Sequence, residues 1–156
     1  MIFATVGTQL PFPRFLTLLD DIAARHGIEI VAQTCEPGVD YPHLKTHAQM
    51  APTVFDEAIK RCDLIVGHAG IGTVLSALKV QKPVVLFPRR AALGEHRNDH
   101  QLATVQVLRD RSGIYVADSD EALERYMTTG TLEAAQLTQG PARVQLVERL
   151  RGFIGA

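Results

Sequence analysis

The chain has 156 residues, 46% of them hydrophobic, and a formal charge of −1. That length suits one compact domain, residues 1–156, and so small a charge gives no global field to draw the chain onto nucleic acid or an anionic membrane. Cys35 and Cys62 stand outside any C-x-x-C spacing and no stretch approaches the roughly 20 apolar residues of a spanning helix, so the reading is a soluble, cytoplasmic chain.

In chain order, Met1 to Val6 is a continuous apolar run, the pattern of a central parallel strand buried on both faces. Pro11 and Pro13 open a helix on which Phe12, Phe15, Leu16, Leu19, Ile22 and Ala23 recur at helical spacing until Gly27 stops it. Ile28 to Ala32 reads as a second strand. Turn signals at Pro37-Gly38 and Tyr41-Pro42 weaken the pattern, with a short edge strand expected within His43 to Gln49. A helix then starts at Pro52-Thr53 with Val54, Phe55, Ala58, Ile59 and Cys62 inward, and Asp63 closes it before a strand at Leu64 to Val66.

From Gly72-Thr73 runs a short helix, apolar nearly all round through Val74, Leu75, Ala77, Leu78 and Val80. Pro83 to Phe87 is the next strand, and a helix after the Pro88 to Arg97 loop turns Leu102, Val105 and Leu108 inward. Ile114 to Val116 is the last strand, and Asp118 or Ser119 caps a helix through Leu123 and Tyr126. A final helix from Ala142 places Val144, Val147, Leu150, Phe153 and Ile154 on one side. Strands alternating with helices predict an α/β fold: a single Rossmann-like, doubly wound parallel sheet, with ligands beyond the carboxyl ends of its strands.

Three loops at those ends carry candidate chemistry. Gly7-Thr8-Gln9 follows the first strand, where a glycine turn and a helix N-terminus suit an anion, although steric need alone also explains a glycine there. Gly67-His68-Ala69-Gly70-Ile71-Gly72-Thr73 is richer. Three glycines let a ligand approach the backbone, Thr73 can cap the helix or donate to phosphate, and His68 flanked by glycine suits a cleft better than a core. In the third, Pro88-Arg89-Arg90 leads to Gly94-Glu95-His96-Arg97-Asn98-Asp99-His100-Gln101. Arginines and histidines fit a diphosphate, and Glu95, Asp99 and Gln101 fit sugar hydroxyls, whereas the plainer reading is a solvated loop with Asn98 or Asp99 as helix cap. His96 and His100 are four apart, like a metal pair, but no third-ligand pattern such as H-E-x-x-H accompanies them, and no metal is expected. The chain has no G-x-G-x-x-G, no G-x-x-x-x-G-K-[ST] and no G-x-S-x-G.

The combination of T-V-G-T-Q-x-P-F, G-H-A-G-I-G-T and P-R-R followed by G-E-H-x-x-D-H-Q resembles the donor-binding, C-terminal half of GT-B glycosyltransferases. More narrowly it resembles the small subunits of two-part transferases of dolichol-linked oligosaccharide and of bacterial exopolysaccharide or capsule synthesis, the bacterial type most of all. The resemblance implies a UDP-sugar bound by Gly7, Thr8, Gln9, His68, Ala69, Gly70, Gly72, Thr73 and Arg89, with Glu95, His96, Asp99, His100 and Gln101 toward the sugar. It implies an inverting transfer without cofactor, and a membrane-associated partner that presents a polyprenyl-linked acceptor and recruits this chain to the cytoplasmic face. Alone the chain would be inactive, with self-association left open. His68 is the best local candidate for a catalytic role, and the general base is left unassigned. Many relatives carry a glutamate for the ribose where this chain has Ser76. A non-catalytic nucleotide-binding or scaffolding module, and a metal-dependent enzyme using His96 and His100, are the competing readings.

Overall fold

The computed structural model describes residues 1–95, 100–109, 111–130 and 132–135. Among them, six strands form one parallel sheet: β1 (Ile2–Thr5), β2 (Ile30–Gln33), β3 (Lys45–His47), β4 (Leu64–Gly67), β5 (Val84–Leu86) and β6 (Ile114–Val116). Their order is β3-β2-β1-β4-β5-β6. This is the Rossmann order, in which the chain winds outward from β1 in one direction and then returns to build the other. The reversal falls between β1 and β4, whose last residues, Thr5 and Gly67, are direct partners. Ligands of open α/β sheets settle beyond the carboxyl ends of the strands at such a point.

The strands are apolar on both faces because helices cover both. Ile2, Ala4, Leu64 and Val66 pack with Phe15, Leu19 and Ile22 of α1 (Pro13–His26) and Leu123 of α5 (Asp120–Thr128). Phe3, Ile65, Val84 and Leu86 point the other way, onto α2 (Pro52–Arg61), α3 (Ile71–Val80) and α4 (His100–Leu108) through Ile59, Val74, Leu78, Val105 and Leu108. A shift of one residue in any strand would exchange these faces, so the register is strongly specified.

Most element ends follow the expected signals. Gly27 ends α1 at φ 64°, its N–H donating to Ala23 O, and the Ser119 hydroxyl caps α5 by accepting from the Ala122 N–H at 3.1 Å. β2 begins two residues later than the apolar run suggests, because Ile28 and Glu29 complete the turn out of α1. Val54 is exposed rather than inward, whereas its neighbour Phe55 packs edge-on against Phe3 of β1 and Ile59 is buried. Leu75 is likewise exposed on the outer side of α3. The helix expected from Ala142 and the side chain of Leu102 lie outside the described residues.

Candidate functional site

A cleft of about 370 Å³ opens at the β1/β4 reversal. Cavities of a few hundred Å³ are the usual size for small-molecule sites. Gly7, Thr8 and Gln9 from the end of β1, His68, Gly70, Gly72 and Thr73 from the β4–α3 loop, and Arg89 and Gln101 all line it. Three distant stretches of sequence therefore meet at one place.

The loop after β1 is set by a chain of hydrogen bonds. The Thr5 hydroxyl donates to Gln33 Oε1 at 3.1 Å and accepts from the Gly7 N–H at 3.2 Å, drawing the backbone into φ +81° at Gly7. That left-handed conformation favours glycine, and so does the neighbour: a β-carbon on Gly7 would stand 3.0 Å from His68 Nε2. Gly70 is required differently. Its φ of −84° is open to any residue, but a β-carbon there would overlap the imidazole, 2.7 Å from Nε2 and closer still to Cε1. The His68 ring is thus held between two glycines at the wall of the cleft.

Helix α3 begins at Gly70 with no side chain capping it. Gly70, Ile71, Gly72 and Thr73 all border the cleft, so the first-turn amides and the positive end of the helix dipole are presented there. Of the two roles open to Thr73, cap or phosphate donor, the first is excluded, because Gly70 is the N-cap and Thr73 lies inside the helix with its methyl group in the space beside Gly67. Gln101 is buried at the first turn of α4, its Oε1 accepting from the Arg89 N–H at 2.9 Å and its Nε2 standing 3.0 Å from His68 Nδ1.

The third loop departs most from expectation. Arg89 reaches the cleft wall but is only 2% exposed, and its guanidinium donates to four main-chain carbonyls: Val6 O at 2.8 Å, Leu10 O at 2.6 Å, Pro11 O at 2.6 Å and Glu95 O at 3.5 Å. Its Cζ lies 4.7 Å from the Phe12 ring centre, so it acts as a strut that pins the loop after β1 to the loop after β5. Burial lowers its pKa and the Glu95 carboxylate opposes that, and an arginine stays protonated at neutral pH in either case. Glu95 does not border the cleft. Its carboxylate accepts from Arg14 Nε at 2.8 Å, Arg14 Nη2 at 2.9 Å and the Arg90 N–H at 3.0 Å. Burial pushes this carboxyl upward, but the bonds from Arg14 and Arg90 together with the Arg89 charge outweigh it and leave the pKa below its ordinary value. With Leu10, Pro11 and Leu93, this pair borders a second hollow of about 700 Å³.

Ala69 is buried with the α2–α4 side of the core, because the alternation that turns His68 to the cleft turns its neighbour inward. His96 and Asp99 lie outside the described residues, as does the His100 side chain. Sequence reasoning missed Thr5, Gln33 and Phe55, which also border the cleft. Gln33 carried a signal, as a polar residue ending an apolar run at the carboxyl end of a strand, whereas Phe55 was indistinguishable from a core residue. Ser76 borders the cleft as well.

The chain matches the sequence model of the glycosyltransferase family 28 C-terminal domain over residues 1–147. Curated protein sequences give no match. Among solved structures it is similar to ALG13, at a TM-score of 0.64 and 13% identity over 99% of this chain and 96% of that one. It is also similar to MurG of Acinetobacter baumannii, at 0.61 and 19% identity over 96% of this chain and 49% of that one. A UDP-glucose: anthocyanidin 3-O-glucosyltransferase solved in complex with UDP gives 0.62 and 13% over 97% of this chain and 34% of that one. At these identities the likeness is one of fold, and this chain spans a third to a half of the last two proteins.

Proposed function

The chain belongs to the glycosyltransferase family 28 C-terminal domain family, and from that premise we propose that its cleft binds the diphosphate of a UDP-sugar. The observation that carries this reading is the uncapped N-terminus of α3, which offers its amides and dipole beside His68 at the sheet's reversal point. UDP as the nucleotide is supported by the UDP in the anthocyanidin glucosyltransferase of the same fold. No metal or cofactor is needed in this account, because the helix dipole and the hydrogen bonds around His68 meet the charge that grows on the leaving diphosphate.

The chain is one half of an inverting transferase. A full GT-B site closes between two such domains, while this chain is about the length of ALG13 and about half that of MurG. A membrane-associated partner supplies the other half, presenting a polyprenyl-linked acceptor in exopolysaccharide or capsule synthesis and bringing this domain to the cytoplasmic face. Among the described residues no helix is long and apolar enough to cross a membrane. The acceptor hydroxyl attacks the anomeric carbon from the face opposite the diphosphate, and alone the chain turns over little or no substrate.

Calorimetric titration with UDP and UDP-sugars tests the reading. Binding is expected, and His68→Ala should weaken it about tenfold, the scale of one hydrogen bond to a charged group. An absence of UDP binding, with and without the partner, would contradict it.

A further inference from the structure

The amide of Gln101 bridges two groups of known character. The Arg89 main-chain N–H can only donate, so the oxygen of the amide must be the atom facing it, at 2.9 Å. That leaves the amide nitrogen, also a pure donor, facing His68 Nδ1 at 3.0 Å. Nδ1 therefore accepts, and the neutral imidazole carries its hydrogen on Nε2. Nε2 is the ring nitrogen on the Gly7 side, 3.0 Å from where a β-carbon of Gly7 would stand. Gln101 is itself 7% exposed and reaches the cleft wall, and Arg89 is locked by four carbonyls, so neither end of the bridge can turn without breaking buried bonds.

We propose that Gln101 is a positioning residue that fixes the tautomer of His68, making its Nε2–H a hydrogen-bond donor to the ligand's diphosphate. The donor role rests on the UDP-sugar reading, whereas the tautomer does not. The expected duty of Gln101 changes accordingly: the residue placed toward the sugar by sequence acts on the phosphate side, through the histidine. A second consequence concerns the reaction. With its hydrogen on Nε2 and Nδ1 already accepting, the neutral ring has no lone pair left for the proton of an acceptor hydroxyl. His68 therefore stabilises the leaving group, and the general base comes from elsewhere in the assembled enzyme.

Long-range proton–nitrogen correlation spectra of the uniformly ¹⁵N-labelled full chain, at a pH where histidine is neutral, test this in the free protein. The expected pattern for His68 is an unprotonated Nδ1 and a protonated Nε2, and the reverse pattern would overturn the proposal. Gln101→Glu sharpens it. A carboxylate still serves the Arg89 N–H with one oxygen, but its other oxygen requires a hydrogen on Nδ1. At a pH where the ring stays neutral the tautomer should therefore reverse and UDP affinity fall about tenfold or more, whereas at lower pH the imidazolium carries both hydrogens and regains the Nε2–H donor. A Gln101→Glu variant that folds and keeps the original tautomer and affinity would overturn the proposal; if it does not fold, the wild-type spectrum decides alone. A wild-type protein with the expected tautomer that binds no UDP would refute the assignment of Nε2–H to a diphosphate together with the UDP-sugar reading, and leave Gln101 as the residue that sets the tautomer.

Discussion

The β4–α3 loop and the loop after β5 are built from opposite materials and do opposite things. The first has three glycines and one histidine within Gly67–Thr73, carries no formal charge and faces the cleft with its backbone. The second brings Arg89, Arg90 and Glu95, yet its best-placed charges are bonded inside the protein, to the carbonyls after β1 and to Arg14. A count of charges would place the anion site on the second loop. The difference teaches that buried charges with well-directed partners hold the frame, while unpaired main-chain amides at a helix start are what remain for a ligand.

The largest expected effect comes from removing the strut. Arg89→Leu leaves the carbonyls of Val6, Leu10 and Pro11 without their donor, and should lower stability in urea unfolding by about 3–5 kcal/mol. A variant as stable as wild type that has lost only UDP binding would return Arg89 to the ligand and erase the contrast between the loops.

Gly70→Ala attacks the other side. Because φ at Gly70 suits any residue, its cost comes from contact with the His68 ring, about 1–3 kcal/mol in stability, with UDP affinity down tenfold or more by calorimetry. Unchanged affinity would show that the position of His68 does not matter to the ligand.

Glu95→Gln should be milder, about 1 kcal/mol, since it weakens the paired contact with Arg14 but keeps the shape. Its pH dependence has a definite sign. A carboxyl whose folded pKa lies below the ordinary 4.5 stabilises the fold above that value and loses its contribution as pH falls through the lower, folded value. Wild type should therefore lose its advantage over Glu95→Gln below about pH 4.5, and UDP affinity should be alike in both at neutral pH. A Glu95→Gln protein that binds UDP much more weakly would place the second loop at the ligand. The smallest effect belongs to Ser76→Ala, about threefold or less in UDP affinity, against the larger loss expected of a ribose ligand.

The sheet was legible because a strand buried on both faces reads as an unbroken apolar run, as at Met1 to Val6 and Leu64 to Val66, and because glycine and proline mark the turns between. The glycine loop was legible for a related reason, since glycine has no side chain to satisfy and its clustering reports close approach. Destinations of long side chains were not legible. Arg89 and Glu95 can reach many partners from their backbone positions, and only the three-dimensional neighbours, Pro11 O and Arg14, decide which they meet. Phe55 was equally silent, because an aromatic residue on an amphipathic helix reads as core whether or not it also borders a cleft.

The contrast between the two loops can be measured in one experiment, an amide chemical-shift map of the ¹⁵N-labelled protein titrated with UDP. The largest changes should fall at Gly7 to Gln9 and Gly67 to Thr73, with Arg14 and Leu93 to Glu95 nearly still. Changes centred on Arg14 and Glu95, with the glycine loop unmoved, would contradict the account.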